Sequence, residues 1–542
     1  MPERSLEVVD FGAFPLPSQL FRDYLAGAEG VRAFFAGARW GLDSLADAAE
    51  RTLTLHRPIE ALAASLSQQQ QARGDALAAS RAGRLAHPGA VAVVTGQQAG
   101  LFGGPMLVLF KALAVVELAR FLEDRRGTPV VPLFWIASDD HDFAEVRSVS
   151  VLDDLGQIKT LSYSPRVAPA GLPASAIRLD DTILGVIDEL ARALPVGPNR
   201  DTALELVSAS CAPGATLPEA FAALLSRLLP GLVIADGADP ALKRLMVPVL
   251  RREILEASPT SRFASEVGQA LAAAGYHQQI PVRSGFLNAF VMLNGERRAL
   301  AVREGQLEVR GTETTWSPAN AVRQLEEDPS AWSPGALLRP LAQDWVFPTA
   351  AYVGGPAEIA YHAQLGPSYG HFGIPRPVLV PRPSLTIVEP GQARALDAEG
   401  LRVEDLQGDP EALVSRWTRE AHPAVEEAFI RARQAVDREL GGIEETLAGL
   451  DPTLRAAADG TRGRVLHQLE TLHEKAIRAL KKRDEIRATR LRRTRNALLP
   501  GGQLQERALG LIGLVARHGL GVIDEVRGRM NPWAKGHQIL RL

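Results

Sequence analysis

A chain of 542 residues is too long for a single hydrophobic core and predicts about three domains. Its apolar fraction of 46% and charged fraction of 23% are those of a globular protein, and 60 basic against 63 acidic residues give no electrostatic reason to expect a polyanion partner. Cys211 is the only cysteine, which excludes an intramolecular disulfide framework and a multi-cysteine metal site.

Along the chain, "MPERSLEVVDFGAFPLP" carries acidic residues and no apolar core of a signal peptide. No run reaches the ~20 apolar residues of a membrane span, so a cytoplasmic protein is expected. The first ninety residues read as Ala- and Leu-rich helices ending in "SQQQQARGD". "AVAVVTG" is then an apolar strand closed by Gly96, followed by "GPMLVLFKALAVVELARFLEDRRG", with Met106, Leu109, Phe110, Leu113, Val116 and Leu118 at helical spacing. Pro105 predicts the first turn of that helix and Gly127 its end. "TPVVPLFWIAS" is a second wholly apolar strand, so strand, helix and strand form a buried parallel βαβ unit of an α/β protein.

The texture from 151 to 225 is mixed, as in an insertion, and "GLVIADGADP" adds another buried strand. Asn288 to Trp316 predicts β-hairpins turning at Asn294-Gly295 and Glu304-Gly305. "TAAYVGGPAEIAYHAQL" repeats the earlier grammar of strand, Gly-Gly-Pro and helix, and "PRPVLVPRPSLTIVE" supplies the last strands. Beyond about 395 the chain turns polar and helical. Val425, Ala428, Ala432, Ala435, Ile443, Leu447 and Leu450 keep 3-and-4 spacing, as do Val465, Leu469, Leu472, Ala476 and Leu480. Pro423–Leu450 and Pro452–Leu498 therefore predict an antiparallel coiled-coil hairpin, with arms of ~40 residues reaching about 60 Å. Its uncovered seam predicts a homodimer.

Chemistry is expected at three places. In "VVTGQQAGLFGGP" a βα turn at the carboxyl edge of a parallel sheet is where doubly wound proteins bind ligands. Gly96, Gly103 and Gly104 would let the backbone approach an anion, and Gln97 and Gln98 offer uncharged donors and acceptors. The spacing matches neither GxGxxG nor a P-loop, and a turn that only packs helix on strand is the bland alternative. The repeat at Gly354-Gly355-Pro356 favours a binding role and predicts that both helix starts face one cleft, with valine at Gly103 or Gly355 abolishing binding without unfolding.

"WIASDDHDFAEV" places Asp139, Asp140, His141 and Asp142 at the end of a buried strand, with Glu145 after them. A carboxylate holding one imidazole nitrogen would leave the other free for general acid/base work. Carboxylates with one His also suit Mg²⁺ or Mn²⁺, and the acids could instead hold a substrate ammonium. An Asp-rich helix start is the structural alternative. In "LLRPLAQDWVFPTAAYVGGPAEIAYHAQL", Glu358, Tyr361 and His362 fall on one helix face. Arg339 could clamp a carboxylate or pair with Asp344 or Glu358. "KKRDEIRATRLRRTR" has no aromatics for base stacking and reads as a solvated helical face, so nucleic acid is the less favoured partner.

These motifs, in this order and with "VPRPSLTIVE" and "LPGGQLQER…GHQILRL", resemble the bacillithiol biosynthesis cysteine-adding enzyme family over essentially the whole chain. The resemblance implies a Rossmann-like core related to class I nucleotidyltransferases over 1–395, interrupted at about 151–225 and 285–335. It further implies a dimerising coiled coil over 396–500 and a C-terminal helical segment over 501–542 packing on the core. The implied activity is a ligase joining L-cysteine through its carboxyl group to the amine of glucosaminyl-malate. His141, Asp140 and Asp142 would then be catalytic. Gly96, Gln97, Gln98, Gly103, Gly104, Asp139, Arg339, Asp344, Gly354, Gly355, Glu358 and Tyr361 would bind substrates, with no metal. Activation of a free carboxylate points to ATP or another nucleotide. Asp139 stands where the family commonly has Glu, Gly103 where threonine-containing variants occur, and His362 where Trp is usual. A nucleotidyltransferase acting on another small substrate, or a coiled-coil RNA-binding protein, are the alternatives.

Overall fold

Five apolar segments assemble a parallel sheet in the order Val378–Pro381, Thr349–Gly354, Val91–Gln97, Val130–Ile136, Val233–Asp236. Apart from Gln97 and Asp236 at their ends, every residue of these strands is buried. Continuous Val, Ile and Leu runs form such strands because a parallel sheet is covered on both faces. Leu107–Arg126, Leu42–Leu53 and Ile59–Ala72 are among the helices packed on it. The chain enters at the centre with Val91–Gln97, adds two strands on one side, then returns to add two on the other. The order therefore reverses between Val91–Gln97 and Thr349–Gly354, which opens a crevice at their carboxyl ends.

The computed structural model describes residues 6–14, 18–169 and 171–542. They fall into two compact units. One holds the described residues up to Ile387 except Leu155–Gln157, together with Leu504–Leu542; the other holds Leu155–Gln157 and Val388–Gln503. No helix among the described residues is long and apolar enough to cross a membrane.

Asn294-Gly295 and Glu304-Gly305 make the expected turns, all four residues at positive φ, as the tight turns favoured by β-twist require. They join Phe286–Leu293, Glu296–Arg303 and Gln306–Val309 in an antiparallel sheet. The 151–225 stretch contains the strand Ile158–Ser162, paired with Ser148–Leu152, and the helices Thr182–Ala193, Arg200–Ser210 and Leu217–Leu228. Burial pushes the Cys211 thiol up to about 12, which makes it an inert core residue.

Two expectations change at the ends of the chain. The N-terminal region contains a strand, Leu6–Val9, and the C-terminal segment ends in a strand, His537–Arg541, rather than a helix. These two pair antiparallel, and His537–Arg541 also lies beside Ser384–Val388. Such short strands carry too little periodicity to be read locally, because partners more than five hundred residues away in sequence define them.

In the second unit, Pro423–Leu450 pairs with Leu454–Arg483. At 28 and 30 residues the arms are about 42 and 45 Å long at 1.5 Å per residue, shorter than the expected 60 Å. The second arm ends because the helix breaks at Asp484, which accepts from His422 Nε2 at 2.7 Å, before resuming as Glu485–Leu498. No residue of the first arm is buried, and in the second only His473 and Ile477 are. The basic run is largely consumed internally: Arg487 holds Glu399, Arg492 Nε donates to Glu411 at 2.8 Å, and Arg495 donates to the Leu406 and Gly408 carbonyls.

Candidate active site

A cavity of about 350 Å³ lies at the crevice where the strand order reverses, within the size range of small-molecule sites. The end of Val91–Gln97 contributes Gly96, Gln97 and then Gln98; Tyr352 and Gly355 come from the neighbouring strand and the start of the next helix. Trp135, Ala137, Asp140 and Glu145 close a third side, and Arg339, Glu358, Tyr361, Arg382 and Arg507 complete the wall.

Its floor is an ion pair the sequence reading missed. Lys111, on Leu107–Arg126, is 1% exposed and contacts the Glu358 carboxylate. Its ammonium also donates to the Gly96 carbonyl at 2.7 Å and to Gln97 Oε1 at 2.9 Å. Glu358 accepts in addition from the Tyr352 hydroxyl and the Gly355 amide, both at 2.7 Å. Burial would raise the Glu358 carboxyl, but Lys111 and these donors outweigh it and hold it below the usual range. Burial pulls Lys111 downward, and Glu358 opposes that. Both strands at the reversal are thereby tied to one helix.

The acidic cluster is divided among four tasks. Asp139 accepts from the buried Lys243 ammonium at 2.6 Å, away from the cavity. Asp140 lines the cavity, where Gln98 Nε2 donates to it at 2.6 Å and to Glu145 at 2.8 Å. Asp142 caps the short helix Phe143–Val146 by accepting from the Glu145 amide, the structural role weighed for an Asp-rich helix start. His141 is outside the cavity lining, with its side chain 54% exposed. The expected carboxylate clamp is absent from this ring: Asp140 Oδ1 is 3.9 Å from Nδ1, whereas Arg297 Nη1 is at 3.3 Å. A guanidinium only donates, so this contact calls for the tautomer in which Nδ1 accepts and Nε2 carries the hydrogen. Among the described residues, no group of three or more His, Cys, Asp or Glu side chains is placed to hold a metal ion.

Arg339 bonds the Tyr361 hydroxyl at 2.7 Å and Gln343 at 3.1 Å. Burial works against its charge, but Tyr361, Tyr352 and Glu358 outweigh that. The considered ion pairs of Arg339 with Asp344 or Glu358 do not form: Glu358 takes Lys111, and Asp344 is buried under the Tyr369 hydroxyl at 2.6 Å. Asp344 and Gly354 are outside the cavity lining, and so are Gly103 and Gly104. The helix expected from Pro105 begins at Leu107, because Pro105 bridges to Gly510 and the Met106 amide donates to Leu509 at 2.9 Å. Gly355 and Pro356 line the cavity, and so does Leu107, the first residue of the helix after the other Gly-Gly-Pro, so both helix starts reach it although Gly103, Gly104 and Pro105 do not. Gly103 has φ +87°, and an added Cβ would lie 3.0 Å from Leu511 Cδ2. Valine there would strain the backbone and crowd the packing, so the expectation of an unchanged fold is corrected. His362 is buried with neither ring nitrogen bonded, its ring stacked 5.0 Å from Tyr361, and burial holds it well below its usual value, hence neutral.

Comparison with known proteins fits this geometry. Residues 6–383 match the family described as bacillithiol biosynthesis BshC, N-terminal Rossmann-like domain, and residues 385–542 match its C-terminal coiled-coil domain. A relative from Salinibacter ruber, named "Putative cysteine ligase BshC", is 34% identical over 98% of this chain and 96% of its own. Relatives of the same name from Koribacter versatilis and Solibacter usitatus are each 32% identical, over 96% and 93% of this chain and 96% of their own. A solved structure described as an arginyl tRNA synthetase from Campylobacter jejuni aligns at a TM-score of 0.20 and 10% identity over 85% of this chain and 97% of that one, too low to carry an argument. With both domains matched in order across nearly its full length, the chain belongs to the BshC family of bacillithiol biosynthesis.

Proposed function

We propose that this protein is the ligase that joins L-cysteine, through its carboxyl group, to the amine of glucosaminyl-malate in the last step of bacillithiol biosynthesis. One observation carries the reading: the cavity is lined both by carboxylates, Asp140 and Glu145, and by guanidiniums, among them Arg339 and Arg507. Asp140 and Glu145 share the Gln98 amide, and Arg339 is bonded to a hydroxyl and an amide rather than to an acid. That pattern suits ligands carrying both an ammonium and a carboxylate, as both substrates do. Gly96 to Gln98 and Gly355 would line the ligand, with Glu358 and Tyr361 holding the wall. Asp139, Asp344, Gly103, Gly104 and Gly354 would act from behind it.

Amide formation needs the departing carboxylate oxygen to leave on an activating group, which ATP or another nucleotide supplies. His141, flanked by Asp140 and Asp142, presents Nε2–H as a donor to charge developing on the carboxyl oxygen. The acid/base role expected for it requires the proton on Nδ1, which faces Arg297. We place this chemistry in the cytoplasm, where cysteine and ATP are available. Cells lacking the protein should accumulate glucosaminyl-malate and lose bacillithiol by thiol profiling. Normal bacillithiol in such cells would refute the assignment.

The reading includes a homodimer through the helical hairpin. Ile430, Ile443 and Leu472 are 52%, 49% and 55% exposed on two arms that bury almost nothing between them. Ile430→Asp with Ile443→Asp should sediment as a monomer; a variant that stays dimeric would move the interface elsewhere.

A further inference from the structure

The segment after Gly502 reaches the cavity through Arg507. Glu506 is fully buried and accepts from Arg382 Nη1 at 2.8 Å, Ser384 Oγ at 2.9 Å and the Leu385 amide at 2.8 Å. Gln505 bonds both the amide and the carbonyl of Ile387, at 2.8 and 3.0 Å. A few residues on, Leu509 accepts from the Met106 amide and the Leu511 amide donates to Gly104 at 3.1 Å. The same segment therefore grips the strand region after Arg382 and the glycine turn after Gln98. Between these grips Arg507 is exposed, and it lines the cavity.

The charges facing the cavity separate into two classes. Lys111 is neutralised by Glu358 and Arg382 by Glu506. Among the described residues no carboxylate pairs with Arg507 or Arg339. Two guanidiniums that no carboxylate contacts, on one small cavity, are a site for an anion that accepts in a plane, as a carboxylate does.

Resting on the ligase reading for the identity of the ligand, we propose that Arg507 is a substrate-binding residue that receives a carboxylate, and that Glu506 is the positioning residue that sets Arg382 and Arg507 at the cavity. The exposed Arg507 can be changed without disturbing the core, whereas Glu506 acts through its neighbours.

The test uses the full-length protein and titration calorimetry. The probes are glucosaminyl-malate, methyl glucosaminide (the same sugar amine without a carboxylate), L-malate and L-cysteine. Arg507→Ala should weaken glucosaminyl-malate at least tenfold, leave methyl glucosaminide unchanged and keep the wild-type melting temperature. Arg507→Lys should recover part of the loss. Glu506→Gln should weaken glucosaminyl-malate without weakening methyl glucosaminide, a selectivity that general loosening of the fold would not produce. If wild type binds glucosaminyl-malate and Arg507→Ala binds it equally well, the inference is overturned and the ligase reading stands. If wild type ignores glucosaminyl-malate but binds L-malate or L-cysteine in an Arg507-dependent way, the carboxylate site stands and the ligase reading loses its substrate. If wild type binds none of the probes, both fall.

Discussion

Lys111→Met should destabilise the protein by about 3 kcal/mol, the lower end of what stranding one partner of a buried ion pair costs. The lower end applies because the Glu358 side chain keeps 21% exposure while that of Lys111 keeps 2%. The variant also leaves the Gly96 carbonyl and Gln97 Oε1 without their ammonium donor. Glu358→Gln in the same chain removes the stranded charge, so the double variant should recover at least half of the loss, a coupling that a double-mutant cycle reads directly. The pH dependence has a definite sign. A carboxyl held below its ordinary value contributes stability above the unfolded-state pKa of about 4.3 and loses it as pH falls through the folded value. In Lys111→Met that depression is gone and Glu358 can take a proton, so the gap to wild type should narrow from pH 7.5 to pH 5 in urea unfolding. A single variant as stable as wild type at pH 7.5, or a double variant showing the plain sum of two losses, would remove the ion pair from its place as the floor of the site.

His141 separates two kinds of catalysis. As an Nε2–H donor to developing negative charge, it should be worth about 10²–10³ in rate, the scale of one preorganised donor. His141→Ala should then lose that factor, while His141→Gln, whose amide N–H can approach the Nε2 position, should stay within about tenfold of wild type on the same scale. As a general base, the ring would contribute about 10²–10⁴, and glutamine would be no better than alanine. Bacillithiol formed per unit protein distinguishes the two. Because the side chain is 54% exposed, neither variant should shift the melting temperature. Equal, deep losses in both would restore the proton-transfer role and require Arg297 to release Nδ1 during turnover.

The parallel strands, the Gly-Pro punctuation between them, the two hairpin turns and the paired polar helices are all legible along the chain. Each is set by residues close along the chain: apolar runs long enough to be buried on both faces, positive-φ pairs such as Asn294-Gly295, and 3-and-4 spacing over many turns. Gly96 to Gln98, Asp140, Arg339, Gly355, Glu358 and Tyr361, singled out from the sequence, do line the cavity; the first three and Asp140 are legible because a strand's carboxyl end shows wherever an apolar run stops. Which charges meet is set only once the elements have packed. Lys111 did leave a signal, a lone cation within "LVLFKALAVV", yet nothing local says that its partner is Glu358. Nothing local sends Asp139 to Lys243, sets Arg297 against His141 from 156 residues away, or brings Glu506 to Arg382. Burial of an ion depends on the full set of elements packed around it, whereas a strand or a turn depends on its own few residues. For that reason the elements could be read in order along the chain, and the pairing of charges around the cavity could not.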